Sequence, residues 1–359
     1  MELPKHGANP QHVYAQLEME QPARLLDFSE NVNPAGPPET VLKIWGDLVE
    51  KLNVYPDPEG EPFVSAAAKF HGVEKENVFA GNGAAELLAL VAERYRGKRA
   101  IIVHPTFSEY EATLQAKNVE LVRIFSEEVT GFTLPINEIM TAMQSASVLY
   151  LCTPNNPTGI MPERADVLKI IQHGMEVHCE VLLDEAFIDF VDESLSFIRE
   201  IATYPNVLVV RSMTKMYAIP GIRLGYVVAS KTVISGIKVL APHWNVNGVA
   251  AQIGLICLRE KSYREQAIRH SVQEREKLAA FLTSNGCTVT DSVVNFISFK
   301  LDVGRDASKL YKDLLMRGIV LRHTENFSGM DGRWFRVGMK NRAMMAELEK
   351  GLVQWFAEN

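Results

Sequence analysis

Short apolar runs recur through the middle of the chain: NVFAG (77–81), AIIVHP (100–105), VELVRIF (119–125), SVLYLCTP (147–154), EVLLDEA (180–186), NVLVVRS (206–212) and LGYVVAS (224–230). They are near-continuous in Val, Ile and Leu rather than alternating, which is the pattern of strands buried on both faces. Between them lie segments such as AAELLALVAERY (84–95) and ERADVLKIIQHGMEV (163–177), whose apolar residues recur at helical spacing. Strands alternating with helices predict an α/β fold with a mostly parallel sheet covered on both faces.

Beyond about residue 240 the texture changes. A long helical stretch from Ser262 to Leu282 precedes NFISFKL (295–301), a helix near Ser308 to Arg317, GIVLRH (318–323), WFRVGM (334–339) and a final helix. This predicts a smaller α+β domain. The expected division is a large domain over 40–240 and a small one built from 1–39 and 241–359. NVNPAGPPE (31–39) and YPDPEGEP (55–62) are loops by their turn chemistry. There is no internal repeat and no low-complexity tract.

The length of 359 residues suits one large domain with a smaller companion. A net charge of −7 without any Lys/Arg-rich run gives no basis for nucleic-acid binding. Cys152, Cys179, Cys257 and Cys287 are scattered, with no CxxC pair and no His at ligand spacing. Free thiols in a reducing compartment and no metal site are expected. The N-terminal MELPKHGANPQHVYAQLEMEQ lacks an apolar signal-peptide core, and no stretch reaches membrane-spanning length. A cytoplasmic protein with no membrane partner is the expectation.

Five places carry chemistry. In RSMTKMYAIPGIRLGY (211–226), Lys215 follows a strand and is flanked by Ser212, Thr214 and Arg223. Hydroxyls and a cation around one amine suit a phosphate beside a Schiff-base lysine, although a solvated loop could read the same way. Asp184 ends the apolar run EVLLD; a buried carboxylate needs a partner, and a pyridinium nitrogen of pyridoxal 5′-phosphate (PLP) would be one. An N-cap aspartate is the plain alternative. Asn156, in the turn after SVLYLCTP, could donate to the ring's phenolic oxygen. Gly83, Ala84 and Ala85, in FAGNGAAELL, would offer backbone N–H groups at a helix start, a ready phosphate site. Phe107 or Tyr110, in HPTFSEY, could stack on an aromatic cofactor or simply pack. Singly these are weak. Their order is specific, and each falls at the end of a strand of one sheet, where ligands of open parallel sheets bind.

With these motifs the chain resembles the fold-type I PLP enzymes of the aspartate-aminotransferase superfamily over nearly its whole length. The resemblance implies Lys215 as the Schiff-base lysine, Asp184 as the pyridinium partner, Asn156 on the phenolic oxygen and Phe107 on the ring. It implies Ser212, Thr214, Arg223 and the 83–85 loop as the holders of the cofactor phosphate. It implies Arg336, in WFRVGM, as a carboxylate anchor. Tyr55, in YPDPEG, would reach the neighbouring subunit's cofactor phosphate, which implies a homodimer. Many relatives read DxAY where this chain has Phe187, so one hydrogen bond to the phenolic oxygen is lost.

Two subfamilies stand out. Histidinol-phosphate aminotransferases share YPD, NNPTG and the C-terminal F-x-G…R pattern. Threonine-phosphate decarboxylases of cobalamin biosynthesis share these too, and also resemble HGAN (6–9), LDFSENVNPAG (26–36) and DEAF (184–187). The resemblance therefore implies decarboxylation of O-phospho-L-threonine to aminopropanol phosphate, with an aminotransferase as the alternative. His6, the Gly7 amide, Asn31, Asn156 and Arg322 would lie at the phosphorylated substrate, with Arg336 on the carboxylate. A ligand-sensing module of a transcription regulator would need an added DNA-binding domain, for which there is no spare length. A non-catalytic homologue would be expected to have lost Lys215 or Asp184.

Overall fold

The computed structural model describes residue 3, residues 7–330 and residues 332–359. Each of the seven apolar runs is a strand of one sheet: β1 (Val78–Gly81), β2 (Arg99–His104), β3 (Glu120–Phe125), β4 (Val148–Cys152), β5 (Glu180–Asp184), β6 (Val207–Ser212) and β7 (Gly225–Ala229). Their spatial order is β1-β7-β6-β5-β4-β2-β3. All neighbours are parallel except β7, which runs antiparallel to both β1 and β6.

Every residue of β1, β4, β6 and β7 is buried, so these strands have no polar face to alternate with. β3, at the edge, instead exposes Glu120 and Phe125 and carries Arg123. A charged, partly exposed edge discourages pairing with other chains. The period-2 alternation survives inside the sheet. Leu149, Leu151, Leu183 and Val209 enter one apolar cluster, and Tyr150, Leu182, Leu208 and Val210 enter the cluster on the other face. Helices such as Ala84–Glu93 cover the sheet, that one burying Leu87, Leu88 and Val91.

A third cluster joins the two ends of the chain. Val13, Tyr14, Leu26 and Phe28 pack with Leu314, Phe335, Leu348 and Trp355. Four short strands, β8 (Thr288–Val289), β9 (Phe296–Lys300), β10 (Arg322–His323) and β11 (Trp334–Gly338), form an antiparallel sheet in the order β10-β11-β9-β8. The long helix Lys261–Ser284 spans both regions, giving Ala267 to the large core and Leu278 and Leu282 to the third cluster.

The run GIVLRH (318–323) divides between two short strands. Ile319–Val320 pairs in parallel with Leu26–Asp27, and after Leu321 the chain turns into β10. Gly318 makes this possible: its φ is +75°, and a Cβ there would lie 2.2 Å from the Arg24 carbonyl oxygen.

All four cysteines are free and buried. Among the described residues no helix is long and apolar enough to cross a membrane, and no cluster of His, Cys, Asp or Glu could hold a metal ion.

Candidate active site

The C-terminal ends of β4, β5 and β6 meet the N-terminal arm and the small sheet around a cavity of roughly 240 Å³. Gly7, Asn31, Phe107, Asn156, Lys215, Arg322 and Arg336 line it, joined by Ser29, Phe187 and Phe327. Residues more than 300 positions apart thus reach one volume because both chain ends pack into the third cluster.

Lys215 lies three residues beyond β6. Its Nζ donates to Ser212 Oγ at 3.0 Å and sits 5.9 Å from the centre of the Phe187 ring. The Asn33 N–H donates to the Lys215 carbonyl at 2.9 Å, and the Asn33 amide donates to the Met216 carbonyl at 3.0 Å, which fixes the lysine loop against the arm. Burial pushes the amine below the ordinary lysine range, with Asp184 opposing the shift and Arg223 adding to it.

Asp184 ends β5 and is buried. Its Oδ2 accepts from the Tyr110 hydroxyl at 2.6 Å and its Oδ1 from the Ala186 N–H at 3.0 Å. Burial raises its pKa; the Tyr110 hydrogen bond and then the Lys215 charge pull it back. Sequence reasoning weighed Tyr110 only as a ring-stacking alternative to Phe107. The available signal was its place three residues after Phe107, in the first turn of Glu109–Ala116. The two rings meet edge to face at 5.8 Å, so Phe107 holds the cavity wall while Tyr110 turns inward to Asp184.

A polar cradle lies beside the lysine. Helix Ala84–Glu93 begins at Gly83, which gives no side-chain cap, so the first N–H groups stay available. Gly83 has φ +80°, and a Cβ there would lie 2.5 Å from Nη2 of Arg223. A Cβ on Gly225 would lie 2.8 Å from the Ala84 nitrogen. The Ser212 and Thr214 hydroxyls are 2.9 Å apart. A helix start, two hydroxyls and a guanidinium crowded this closely have the donors that a phosphate group requires.

The opposite wall is cationic. Arg322 and Arg336 are register partners on β10 and β11, only 3% and 6% exposed. Arg336 donates from Nη1 to Asn156 Oδ1 and from Nη2 to the Ser29 carbonyl at 2.8 Å, while its buried Nε has no hydrogen-bond partner. Arg322 donates to the His323 carbonyl at 2.9 Å and to Asn326 Oδ1 at 2.6 Å, with its guanidinium carbon 5.0 Å over the Phe327 ring. Burial pushes Arg336 down to about 9, the Arg322 charge adding to the shift, and Arg322 down to about 10. The buried Asn31 Oδ1 also has no hydrogen-bond partner.

The arm is tied in through Ser29. Its hydroxyl donates to Asp27 Oδ1 at 2.6 Å and accepts from the Ala8 N–H at 3.0 Å. This draws Gly7 to the cavity, where a Cβ would lie 2.4 Å from the Ser29 carbonyl oxygen. His6 lies outside the described residues. Tyr55 is not brought to the cavity: it is 80% exposed and packs on Trp244 at 4.8 Å. Phe187 meets Phe296 edge to face at 5.0 Å and offers no hydrogen-bond donor.

The donor set fits PLP. A buried amine, a buried carboxylate across from it, an aromatic wall and a phosphate cradle are the four parts that its aldehyde, ring nitrogen, ring face and phosphate require.

Comparison with known proteins agrees with the geometry. The family model for aminotransferase class I and II matches residues 23–352. The threonine-phosphate decarboxylase of Salmonella typhimurium is 33% identical over 346 residues, covering 96% of this chain and 94% of that protein. A histidinol-phosphate aminotransferase of Caldanaerobacter subterraneus is 28% identical over 326 residues, covering 89% and 90%. The crystal structure of the histidinol-phosphate aminotransferase of Clostridium acetobutylicum matches with a TM-score of 0.89 at 28% identity, covering 93% of this chain and all of that one.

Proposed function

This chain belongs to the class I and II aminotransferase family, and on that premise we propose that it is a PLP enzyme that decarboxylates O-phospho-L-threonine to aminopropanol phosphate, a reaction of cobalamin biosynthesis. The observation that carries the substrate reading is the pair of buried guanidiniums, Arg322 and Arg336, on one wall of the lysine cavity. Two desolvated cations call for two anionic groups. A phosphorylated amino acid supplies a phosphate and a carboxylate, whereas histidinol phosphate supplies only the phosphate.

In this reading Lys215 carries the cofactor and the 83–85 amides, Ser212, Thr214 and Arg223 hold its phosphate. Asp184 would hold the ring nitrogen as a cation, and the Tyr110 hydrogen bond favours the charged carboxylate against burial. Phe107 covers the ring. Asn156 gives its Oδ1 to Arg336, which leaves its amide N–H to donate to the phenolic oxygen. When bound, PLP would supply an electron sink for a bond broken at the substrate's Cα. The protein's share would be orientation: Arg322, Asn31, the Gly7 amide and His6 on the phosphate and Arg336 on the carboxylate would fix which group at Cα is presented for cleavage. Lys215, its amine held low by burial, would return a proton to Cα.

The active unit in this proposal is a homodimer. Leu42, Trp45, Val49 and Leu52, in the segment leading to Tyr55, are 55–73% exposed, apolar surface suited to a second copy. Tyr55 would then reach the partner's cofactor phosphate.

The test is incubation of purified, PLP-loaded protein with O-phospho-L-threonine and, separately, with histidinol phosphate plus 2-oxoglutarate. Carbon dioxide from the first and little ketone from the second is the expected result. Ketone without carbon dioxide would replace this reading with the aminotransferase.

A further inference from the structure

A second cavity, of roughly 380 Å³, lies at the C-terminal edge of the large sheet. That volume is within the range of small-molecule sites, and no role proposed above uses it. Its walls are apolar, formed largely by Val103, Leu134, Leu151, Ile160 and Phe132. Among the described residues no Lys, Arg or His lines it, and its charged groups are Glu163, Asp166 and Asp291.

Part of that acidity has a local origin. Glu163 is the N-cap of helix Arg164–Glu176 and Asp166 lies in its first turn, where carboxylates offset the helix dipole. Asp166 is also paired with Lys169 at 3.1 Å. The dipole end is equivalent to only about half a positive charge, and although Arg275 lies close enough to Asp291 for their charges to interact, the exposed ionisable groups on the cavity lining itself, Glu163 and Asp291, are both carboxylates. An apolar interior with a negative rim complements a cation on an apolar body.

One aromatic layer separates this cavity from the catalytic one. Phe132 lines the second cavity, meets Trp334 at 5.5 Å between ring centres, and clusters with Phe327 and Met330. Phe327 lines the catalytic cavity and lies beneath the Arg322 guanidinium at 5.0 Å. Phe132 has φ +59°, a left-handed conformation that an aromatic residue adopts only where packing imposes it. A ligand pressing on Phe132 therefore has a contiguous route through packed rings to a substrate anchor.

We propose that this second cavity binds a small amine with an apolar body, and that its occupancy alters anion affinity at Arg322 through Phe132 and Phe327. Coupling between two such sites is reciprocal and commonly amounts to about 5- to 150-fold.

Calorimetry on the PLP-loaded protein tests both halves without using turnover, so its outcome is independent of whether the decarboxylase reading holds. The probe is N,N-dimethylbenzylammonium, a tertiary amine that cannot condense with an aldehyde. Benzyl alcohol and phenylacetate are the neutral and anionic controls. The expected result is one site per chain, with both controls at least tenfold weaker, and loss of binding in Leu134→Trp, which fills the cavity. Saturating probe should change the affinity for inorganic phosphate at least fivefold, and saturating phosphate should change probe affinity by the same factor. Asp291→Asn, at an exposed rim position, should weaken the probe severalfold and decides the question if Leu134→Trp misfolds. Absence of binding, equal binding of all three compounds, binding that survives both substitutions, or binding that leaves phosphate affinity unchanged would each overturn the proposal.

Discussion

Arg322 and Arg336 stand directly opposite each other on adjacent antiparallel strands, both buried in the wall of one cavity. Like charges across a strand pair destabilise a sheet, so the ligand-free protein carries strain that an anion relieves. Arg322→Gln should therefore weaken inorganic phosphate, or raise KM for a phosphorylated substrate, by about 10- to 100-fold, the worth of one charge-assisted contact. It should also reduce the rise in Tm that phosphate gives the wild type. The pH dependence has a definite sign. Arg336 is depressed to about 9, so its charge is lost as pH rises through that value, and anion affinity should fall there. A phosphate-induced Tm shift identical in wild type and variant would exclude Arg322 as an anchor.

Lys215→Ala should abolish both turnover and the borohydride-reducible lysine–cofactor adduct. The 3.0 Å contact with Ser212 and the burial that lowers the amine are the observations behind the proposal that this lysine carries the cofactor. Peptide mass spectrometry after reduction locates the adduct. A reduced adduct on another lysine in the variant would move the cofactor elsewhere.

The strands, the motif order and most of the cavity were legible in the sequence because buried parallel strands are written as uninterrupted apolar runs. Ligand residues also follow their ends at short, fixed distances. The division of the run 318–323 at Leu321 was not legible because it depends on pairing with Leu26–Asp27, almost 300 residues away. Tyr110 was weighed for the wrong contact for a similar reason. Whether an aromatic stacks on a ligand or donates to a carboxylate depends on which way the helix start turns, and here it turns to Asp184, 74 positions further on. The facing of Arg322 and Arg336 required the register of β10 against β11, which local pattern does not encode.

Tyr110→Phe should keep the fold and weaken cofactor function. The hydroxyl is one of two donors that hold the buried Asp184 carboxylate charged, the other being the Ala186 N–H. Losing a hydrogen bond to a charged group costs about 1.5–3 kcal/mol. Asp184 should then be protonated at higher pH, so PLP affinity in the variant should fall off on acidification earlier than in the wild type. Asp184→Asn should lose most activity across the whole pH range. Fluorescence titration of the stripped protein with PLP at several pH values checks the Tyr110→Phe prediction, and turnover of the loaded Asp184→Asn protein over the same pH range checks the other. Superimposable wild-type and Tyr110→Phe profiles would reduce the hydroxyl to packing.

Tyr55→Phe should leave the chain folded but weaken PLP retention severalfold if the residue serves a neighbouring subunit. It is 80% exposed in one chain, so the substitution removes little within that chain. Sedimentation at assay concentration should show a dimer in wild type and variant alike. A fully active monomer would contradict the proposed arrangement.

Glu185 supplies a pH test of the scaffold behind the site. It directly follows the last residue of β5, where its N–H still donates to the Val210 carbonyl at 2.9 Å, and the continued alternation sends its side chain to the other face of the sheet. There it is fully buried, accepting from Ser196 Oγ at 2.6 Å and the Phe197 N–H at 2.7 Å, with the Arg211 guanidinium at 3.4 Å. Burial raises its pKa to about 7 from 4.5, and Arg211 only partly opposes this. With the folded value above the unfolded one, the native state holds more protons between the two. Stability from this group is fully present below about 4.5 and is lost as pH rises through about 7. Glutamine mimics the protonated acid and cannot titrate. The stability of Glu185→Gln relative to wild type should therefore grow as pH rises across this window, by at most about 1.4 kcal/mol per pH unit, and level off above it. The comparison cancels contributions from distant titrating groups, because both proteins share them. Urea denaturation of the two proteins at intervals from about pH 4.5 to about 8.5 measures the difference directly. A gap that stays constant with pH would mean that Arg211 keeps Glu185 ionised throughout, and that the strand carrying Asp184 is held by a permanent ion pair rather than by a proton.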